Sequence, residues 1–302
     1  MKKAFTLIEM LIVVAIIGIL MGVLMGTFSG GTESARSARC LSNMRNLAAA
    51  CQSAAMERGY YPPAGSVEQL SVSVGRNRRG TSTYSEWPGW IGWNSQGVYA
   101  NRPTQSRAQS SWYTSMYDST DESRIYCLTN GVLWKYVSGN HDVYLCPSHV
   151  KAKKRLNPNW SYVMNAYFGW TARPGTDILS TGTDMCIQYG TLGRADRYLL
   201  FAEIPFAGIG VPAKESTTGT DCDCILQYKG CPNCSANESI GFNHKVGKLT
   251  CANVVFADGH TEKLTYPKKG LSETELQELT QWLCTGIDVN FDGKRYDKFN
   301  GN

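Results

Sequence analysis

Residues 5–18 read FTLIEMLIVVAIIG, and Glu9 is the single charge among them. From Phe5 to Phe28 the chain carries no other charge and no proline. As a helix rising about 1.5 Å per residue, that run is long enough to cross a bilayer core. A carboxylate at membrane depth costs about 2.5–3.5 kcal/mol on insertion scales, so such a residue is usually kept for a function. Lys2 and Lys3 stand immediately before the run. This places the N-terminus in the cytoplasm and the bulk of the chain across the membrane. The run is longer than a secretory signal and lacks an A-x-A cleavage site at its far end.

The remaining composition is that of a folded domain. Of 302 residues, 42% are hydrophobic and 18% charged, and the net charge of +5 is not gathered into a long basic run. Nucleic acid is therefore not expected as a partner. Eleven cysteines are many for a cytosolic protein, and they suit an exported chain in which disulfides can form. Because the number is odd, at least one cannot pair within the chain.

MKKA followed by FTLIEMLIVVAIIGIL resembles the leader and first helix of type IV pilins and type II secretion pseudopilins. The resemblance implies that prepilin peptidase cuts between Ala4 and Phe5 and methylates the new amino group of Phe5. The family usually has Gly before the cut, where this chain has Ala4. It further implies a single-pass inner-membrane prepilin with an exported head, which later joins a periplasmic or cell-surface filament. The implied partners are other pilin or pseudopilin subunits and an inner-membrane assembly platform. Glu9 then has a mechanism. Paired with the Phe5 amine of a neighbouring subunit, it relieves two charges in low dielectric only in the correct axial register. Glu9 is read as an assembly residue.

The chain divides into a leader at 1–4, an N-terminal helix at 5–58 and a head at 59–302. Within the helix, 5–28 is the transmembrane and assembly half and 32–58 the half packed on the head. SGG at 29–31 is expected to break or bend the helix, with Thr32 or Ser34 capping the second half. There Leu41, Met44, Leu47, Ala48, Cys51 and Ala55 recur at helical spacing, with Arg36, Arg39 and Arg45 elsewhere on the wheel. GYYPPAG at 59–65 stops the helix. Beyond it, strands are expected at 131–137, 142–146, 161–170, 197–204 and 252–264, the last a hairpin turning at Asp258-Gly259. Residues 71–125 read as an insertion or irregular loop region. The fold class is α+β, a long N-terminal helix packed on an antiparallel sheet with long loops.

The head has a resemblance of its own. ARCLSNMRNLAAAC, VYLCPS, SYVMNAYFGW, LLFAEI and NHKVGKLTCANVVFADGH, in that order, are similar to a bacterial pilin-like family with a prepilin leader. That family also carries a His, a spacer of about nine residues, then Asp-Gly. Here thirteen residues separate His244 from Asp258. The resemblance implies an α+β pilin-like head.

Four groups of residues are candidates for chemistry. Cys222, Cys224, Cys231 and Cys234 form C-x-C followed by C-x2-C. In an exported domain two disulfides fastening a loop are the preferred reading, with four thiolates around Zn²⁺ or unpaired structural thiols as the alternatives. Cys127, Cys146, Cys186, Cys251 and Cys284 are candidates for further pairs. Cys40 and Cys51 cannot pair, because eleven helical positions separate them by about 16 Å. Asp288, Asn290, Asp292 and Gly293 match the first half of a calcium loop, with Asp297 able to reach around because Phe299 replaces the usual Glu. A plain turn capped by its own Asx side chains is the alternative. His244 and His260 could meet across the hairpin with Asp258 as a metal site, or be turn and surface groups. Trp87, Trp90 and Trp93 would form a glycan-stacking platform if exposed, or core if buried. No G-x-S-x-G, H-E-x-x-H or phosphate loop is present, and no enzyme activity is expected. The expected function is a structural subunit of a type IV pilus-like filament or secretion pseudopilus. Its rivals are a membrane-anchored binding module that uses the tryptophans and, more remotely, a zinc-dependent hydrolase head.

Overall fold

A computed structural model describes residues 6–64, 72–76, 82–85, 89–91, 128–129, 131–152, 160–168, 173–175, 185–205, 225–226, 228, 239–268 and 270–285. Side chains at 23–30, 72–76, 82–85, 152, 173–175, 185–186 and 225 are not among those described. Helix α1 runs unbroken over Leu7–Arg58, 52 residues. SGG at 29–31 therefore does not interrupt it, because glycine within a long helix costs only about 1 kcal/mol per residue. The cap is correspondingly not at Thr32 or Ser34 but at Thr6. Gly59, with φ of 80°, closes the other end and donates its N–H to the Ala55 carbonyl, a conformation that suits glycine at a helix C-terminus.

Two solvent environments divide α1. Every described side chain from Thr6 to Gly22 is exposed, Leu7 by 82%. From Ser37 onward one stripe is buried, and it contains Cys40, Met44, Leu47, Ala48, Cys51 and Ala55, with Leu41 half-buried. This stripe packs against the main sheet. Among the described residues no helix is long and apolar enough to cross a membrane. The expected span at 5–28 extends beyond the described side chains at both ends.

The sheet is built from β3 (Tyr162–Asn165), β6 (Leu199–Glu203), β7 (Ile225–Leu226), β8 (His244–Val246), β9 (Leu249–Phe256) and β10 (Thr261–Thr265). Its order is β10-β9-β6-β3-β7, with β8 also pairing β9. All pairings are antiparallel except β3 with β7. The expected hairpin is present: Thr261 stands opposite Val255, and Gly259, with φ of 91°, makes the turn. A two-stranded pair, β1 (Val72–Arg76) with β2 (Ser82–Ser85), lies within the segment expected to be irregular. A parallel pair joins β4 (Arg173–Gly175) to β5 (Met185–Ile187). Helix α2 is Pro147–Ala152, and α3 is Glu273–Thr285.

Two expected strands are instead 3-10 turns, Val132–Lys135 and His141–Tyr144. In the first, Val132 and Leu133 are buried side by side, and in the second the buried run extends from Val143 to Cys146. Consecutive burial of this kind does not require a two-residue period. Asn140 starts the second turn by accepting a hydrogen bond from the Asp142 N–H at 3.0 Å. The strand expected over 161–170 ends at Asn165, whose side-chain oxygen accepts from the Tyr167 N–H and opens a further 3-10 turn.

Gly241 allows the chain to pass close to the end of β6. A Cβ there would lie 2.5 Å from the Ile204 carbonyl carbon and 2.6 Å from Pro205 N, and the Gly241 N–H donates to the Glu203 carbonyl at 2.8 Å. Gly241→Ala should destabilise the head by about 1–3 kcal/mol through overpacking against backbone. A thermal melt of the full-length protein unchanged by this substitution would show that the two segments part freely.

Candidate functional site

Among the described residues, two sites stand out chemically. At its start, Thr6 and Glu9 form a capping box. The Thr6 N–H and hydroxyl both donate to Glu9 Oε2 at 2.8 Å, and the Glu9 N–H donates to Thr6 Oγ1 at 3.4 Å. The box satisfies amides that the first helical turn leaves open. Glu9 thus has a local structural role, which the T-x-x-E spacing of Thr6 and Glu9 announces. Ala4 and Phe5, on either side of the expected cut, lie outside the described residues.

The second site lies in the head and gathers side chains from four distant parts of the sequence. Cys40 comes from α1, Cys146 from the segment just before α2, Glu203 from the end of β6 and His244 from the start of β8. All four are fully buried. Each offers one ligand atom, and these atoms lie within 4.8 Å of one another. Cys40 Sγ is 2.8 Å from Glu203 Oε1, His244 Nε2 is 3.0 Å from the same oxygen, and Cys146 Sγ is 3.6 Å from His244 Nε2. The Tyr162 hydroxyl donates to Cys40 Sγ at 3.4 Å.

A second layer fixes the imidazole. His244 Nδ1 is 3.0 Å from Glu33 Oε1 and 3.3 Å from Ser148 Oγ. Ser148 in turn donates to Glu33 at 2.5 Å, and Arg36 pairs with Glu33 at 3.0 Å. Nearby, Asn253 and Ser37 exchange hydrogen bonds between β9 and α1.

The electrostatics follow from burial and crowding. Burial disfavours the His244 imidazolium, but the Glu203 charge and hydrogen bonds with Cys146 and Glu203 outweigh it and raise its pKa to about 11. Burial likewise opposes ionisation of Glu203, yet the charge and hydrogen bond of His244 hold its pKa below the usual carboxylate value. Burial, together with Cys146 and Glu203, pushes the Cys40 thiol well up. For Cys146 burial is outweighed by hydrogen bonds from Cys40 and His244, and its pKa is lowered.

Several expectations need correction. His244 and His260 do not meet. His244 is in register with Cys251, whereas His260 returns to Phe256 at the other end of β9, about 17 Å away at ~3.4 Å per residue. His260 instead pairs with Asp258 at 2.5 Å and stacks on Phe256. Cys146 and Cys251 are free thiols, as are Cys40 and Cys51, and Cys284 is buried. Trp90 is fully buried among Tyr144 and Phe201 rather than displayed. Cys127, the thiol of Cys186, the cluster Cys222, Cys224, Cys231 and Cys234, and the tail residues Asp288, Asn290, Asp292 and Asp297 lie outside the described residues. So do Trp87 and Trp93.

Glu203 and the role of Cys40 were missed, because nothing local marks LLFAEI or ARCLSN as a ligand segment. The available signal was that Cys40, Cys146, Glu203 and His244 each fall in one of the stretches that carry the head's resemblance.

A family model described as the prokaryotic N-terminal methylation motif matches residues 1–25. Comparison with curated proteins and with solved structures gave no match. The motif supports a type IV pilin-like or pseudopilin-like protein that prepilin peptidase processes. The α+β head behind a long N-terminal helix is consistent with that class.

The site depends on how the Cys146 segment is tied to α1. Asn43 donates to the Asp142 carbonyl at 3.0 Å and to the Leu145 carbonyl at 2.8 Å. Asn43→Ala should lower stability by about 1–3 kcal/mol by leaving a buried carbonyl unsatisfied. Chemical denaturation of the full-length protein reads the change, and an unaltered midpoint would mean the tie is dispensable.

Proposed function

We propose that this chain is a structural subunit of a type IV pilus-like filament or secretion pseudopilus, inserted as a prepilin and polymerised through α1. The match of the methylation motif to residues 1–25 carries the reading. The uninterrupted exposure of apolar side chains along the start of α1 supports it. A single subunit leaves that surface with no protein to cover it. A bilayer covers it before assembly, and neighbouring helices cover it afterwards.

In this reading the peptidase cuts between Ala4 and Phe5, methylates Phe5, and leaves Glu9 to pair with the Phe5 amine of a neighbour. The inner-membrane assembly platform and other subunits are the partners. Disulfides within Cys222–Cys234 and calcium at Asp288, Asn290, Asp292 and Asp297 belong to the same proposal for an exported head. The burial of Trp90 weighs against the glycan-binding alternative, since the proposed platform loses its middle ring. A catalytic head would require metal ligands open to substrate, and the four grouped ligands are closed from solvent.

Intact mass and N-terminal sequencing of protein from its native envelope should give a chain starting at N-methylated Phe5. A retained Met1, or cleavage beyond Gly26, would overturn the reading.

The capping box makes the Glu9 experiment selective. Gln at the third helical position can still serve the box, so Glu9→Gln removes the charge while keeping the cap. Insertion and head folding should survive, and polymerised protein should fall steeply relative to the membrane fraction. If a neighbour's amine is left buried and unpaired, the loss is about 3–5 kcal/mol. Wild-type polymer levels from Glu9→Gln would show that the carboxylate acts only as a cap.

A further inference from the structure

We propose that Cys40, Cys146, Glu203 and His244 form a closed structural Zn²⁺ site that fastens α1 to the sheet where the helix enters the head. The inference rests on the geometry of the head and is independent of the filament reading.

Donor type selects the metal. Two sulfurs, one imidazole and one carboxylate suit a four-coordinate zinc site, whereas calcium and magnesium take oxygen ligands. Spacing agrees with that assignment. Zn–S of ~2.3 Å and Zn–N or Zn–O of ~2.0 Å, at tetrahedral angles, put sulfur about 3.5 Å from nitrogen and nitrogen about 3.3 Å from oxygen. Cys146 Sγ and His244 Nε2 are 3.6 Å apart, and His244 Nε2 and Glu203 Oε1 are 3.0 Å apart. The 2.8 Å between Cys40 Sγ and Glu203 Oε1 is shorter than a shared metal requires, and a small rotation of either side chain opens it.

The surroundings match what a zinc ligand needs. Ligating histidines commonly donate their second ring nitrogen to a carboxylate, which fixes the tautomer. His244 has Glu33 at 3.0 Å from Nδ1, so Nε2 is left to face the other three ligands. Tyr162 donates to Cys40 Sγ, and the second oxygen of Glu203 faces the Asn253 N–H at 3.5 Å. With four protein ligands and no exposure, the arrangement belongs to the structural rather than the catalytic kind. Binding involves no redox change. The protons on the two sulfurs and on Nε2 pass to solvent, and the Nδ1 proton stays with Glu33.

Location gives the site its purpose. Cys40 lies one turn beyond Ser37, the first fully buried position among the described side chains of α1. The other three ligands come from separate elements, so one ion would hold helix, loop and two strands together.

The test uses full-length protein in detergent, reduced, loaded with zinc and dialysed. Cysteines 222–234 could also hold metal, so the measurement is made on the unmodified chain and on a variant with Cys222→Ser, Cys224→Ser, Cys231→Ser and Cys234→Ser. The variant should retain stoichiometric zinc. X-ray absorption should show two sulfurs, an imidazole and an oxygen around it. Adding Cys146→Ser should abolish retention. Glu33→Gln, which keeps a hydrogen-bond acceptor for Nδ1, should weaken binding about 10–100-fold. Chelation should lower the melting temperature, and zinc should restore it.

Cysteines 222–234 contain no histidine. If the multiple variant fails to fold, imidazole around zinc in the unmodified chain therefore still supports the site. A shell of sulfur alone there would overturn the proposal. So would a folded, zinc-free multiple variant, or a Cys40–Cys146 disulfide in peptides mapped without reduction. Iron or copper held by the same ligands would overturn the assignment to zinc.

Discussion

The packing of one helical stripe onto one sheet governs this molecule. From Ser37 to Ala55, α1 places small and medium side chains against β6, β8, β9 and β10. Ala48, Ala54 and Ala55 are fully buried there, alongside Met44 and Leu47. Small residues bring the helix close to the strands, and the larger ones fill the gaps that closeness leaves. Burying each large aliphatic side chain contributes about 1.5–3 kcal/mol. The first part of α1 is exposed and gains nothing from the head.

Where these two regimes meet, the interface turns polar. Glu33, Ser37 and Cys40 on α1 face His244, Asn253 and Glu203 on the strands. Burying an ion pair and two thiols is a weak way to gain stability, since desolvation consumes most of the attraction. Such a cluster is directional, however. An apolar helix can slide or rotate on an apolar sheet at modest cost, but these hydrogen bonds close in a single register. A metal ion held among the same side chains adds a stronger form of that constraint. The head therefore holds α1 at a defined angle and rotation.

The order of events along the chain agrees with this division. The capping box of Thr6 and Glu9 starts the helix with local contacts alone, so the start of α1 can form before the head is complete. The head's sheet relies on distant partners, including Glu203 with Asn253 and β3 with β6 and β7. Its closure has to wait until those distant segments are all present.

By itself the sequence determined the long apolar helix with its lone carboxylate, the helical stripe from Leu41 to Ala55 and the Asp258-Gly259 hairpin. Each depends on residues within a few turns of one another, where helical spacing and turn chemistry act directly. It did not reveal that SGG leaves α1 intact, because a break depends on what packs nearby as much as on glycine. Nor did it separate the buried turns at 132–135 and 141–144 from strands, since short apolar runs look alike until their partners are known. Tertiary structure alone decided the polar centre. Cys40 and His244 are separated by most of the head, and no spacing rule links them. It moved His244 away from Asp258 and His260 because the length of β9 lies between them, and it buried Trp90 against rings from distant segments, stacked on Tyr144 and edge-on to Phe201. The methylation motif was legible in the first residues. What holds its head to its helix was not, because that junction exists only once four separate segments have been folded into contact.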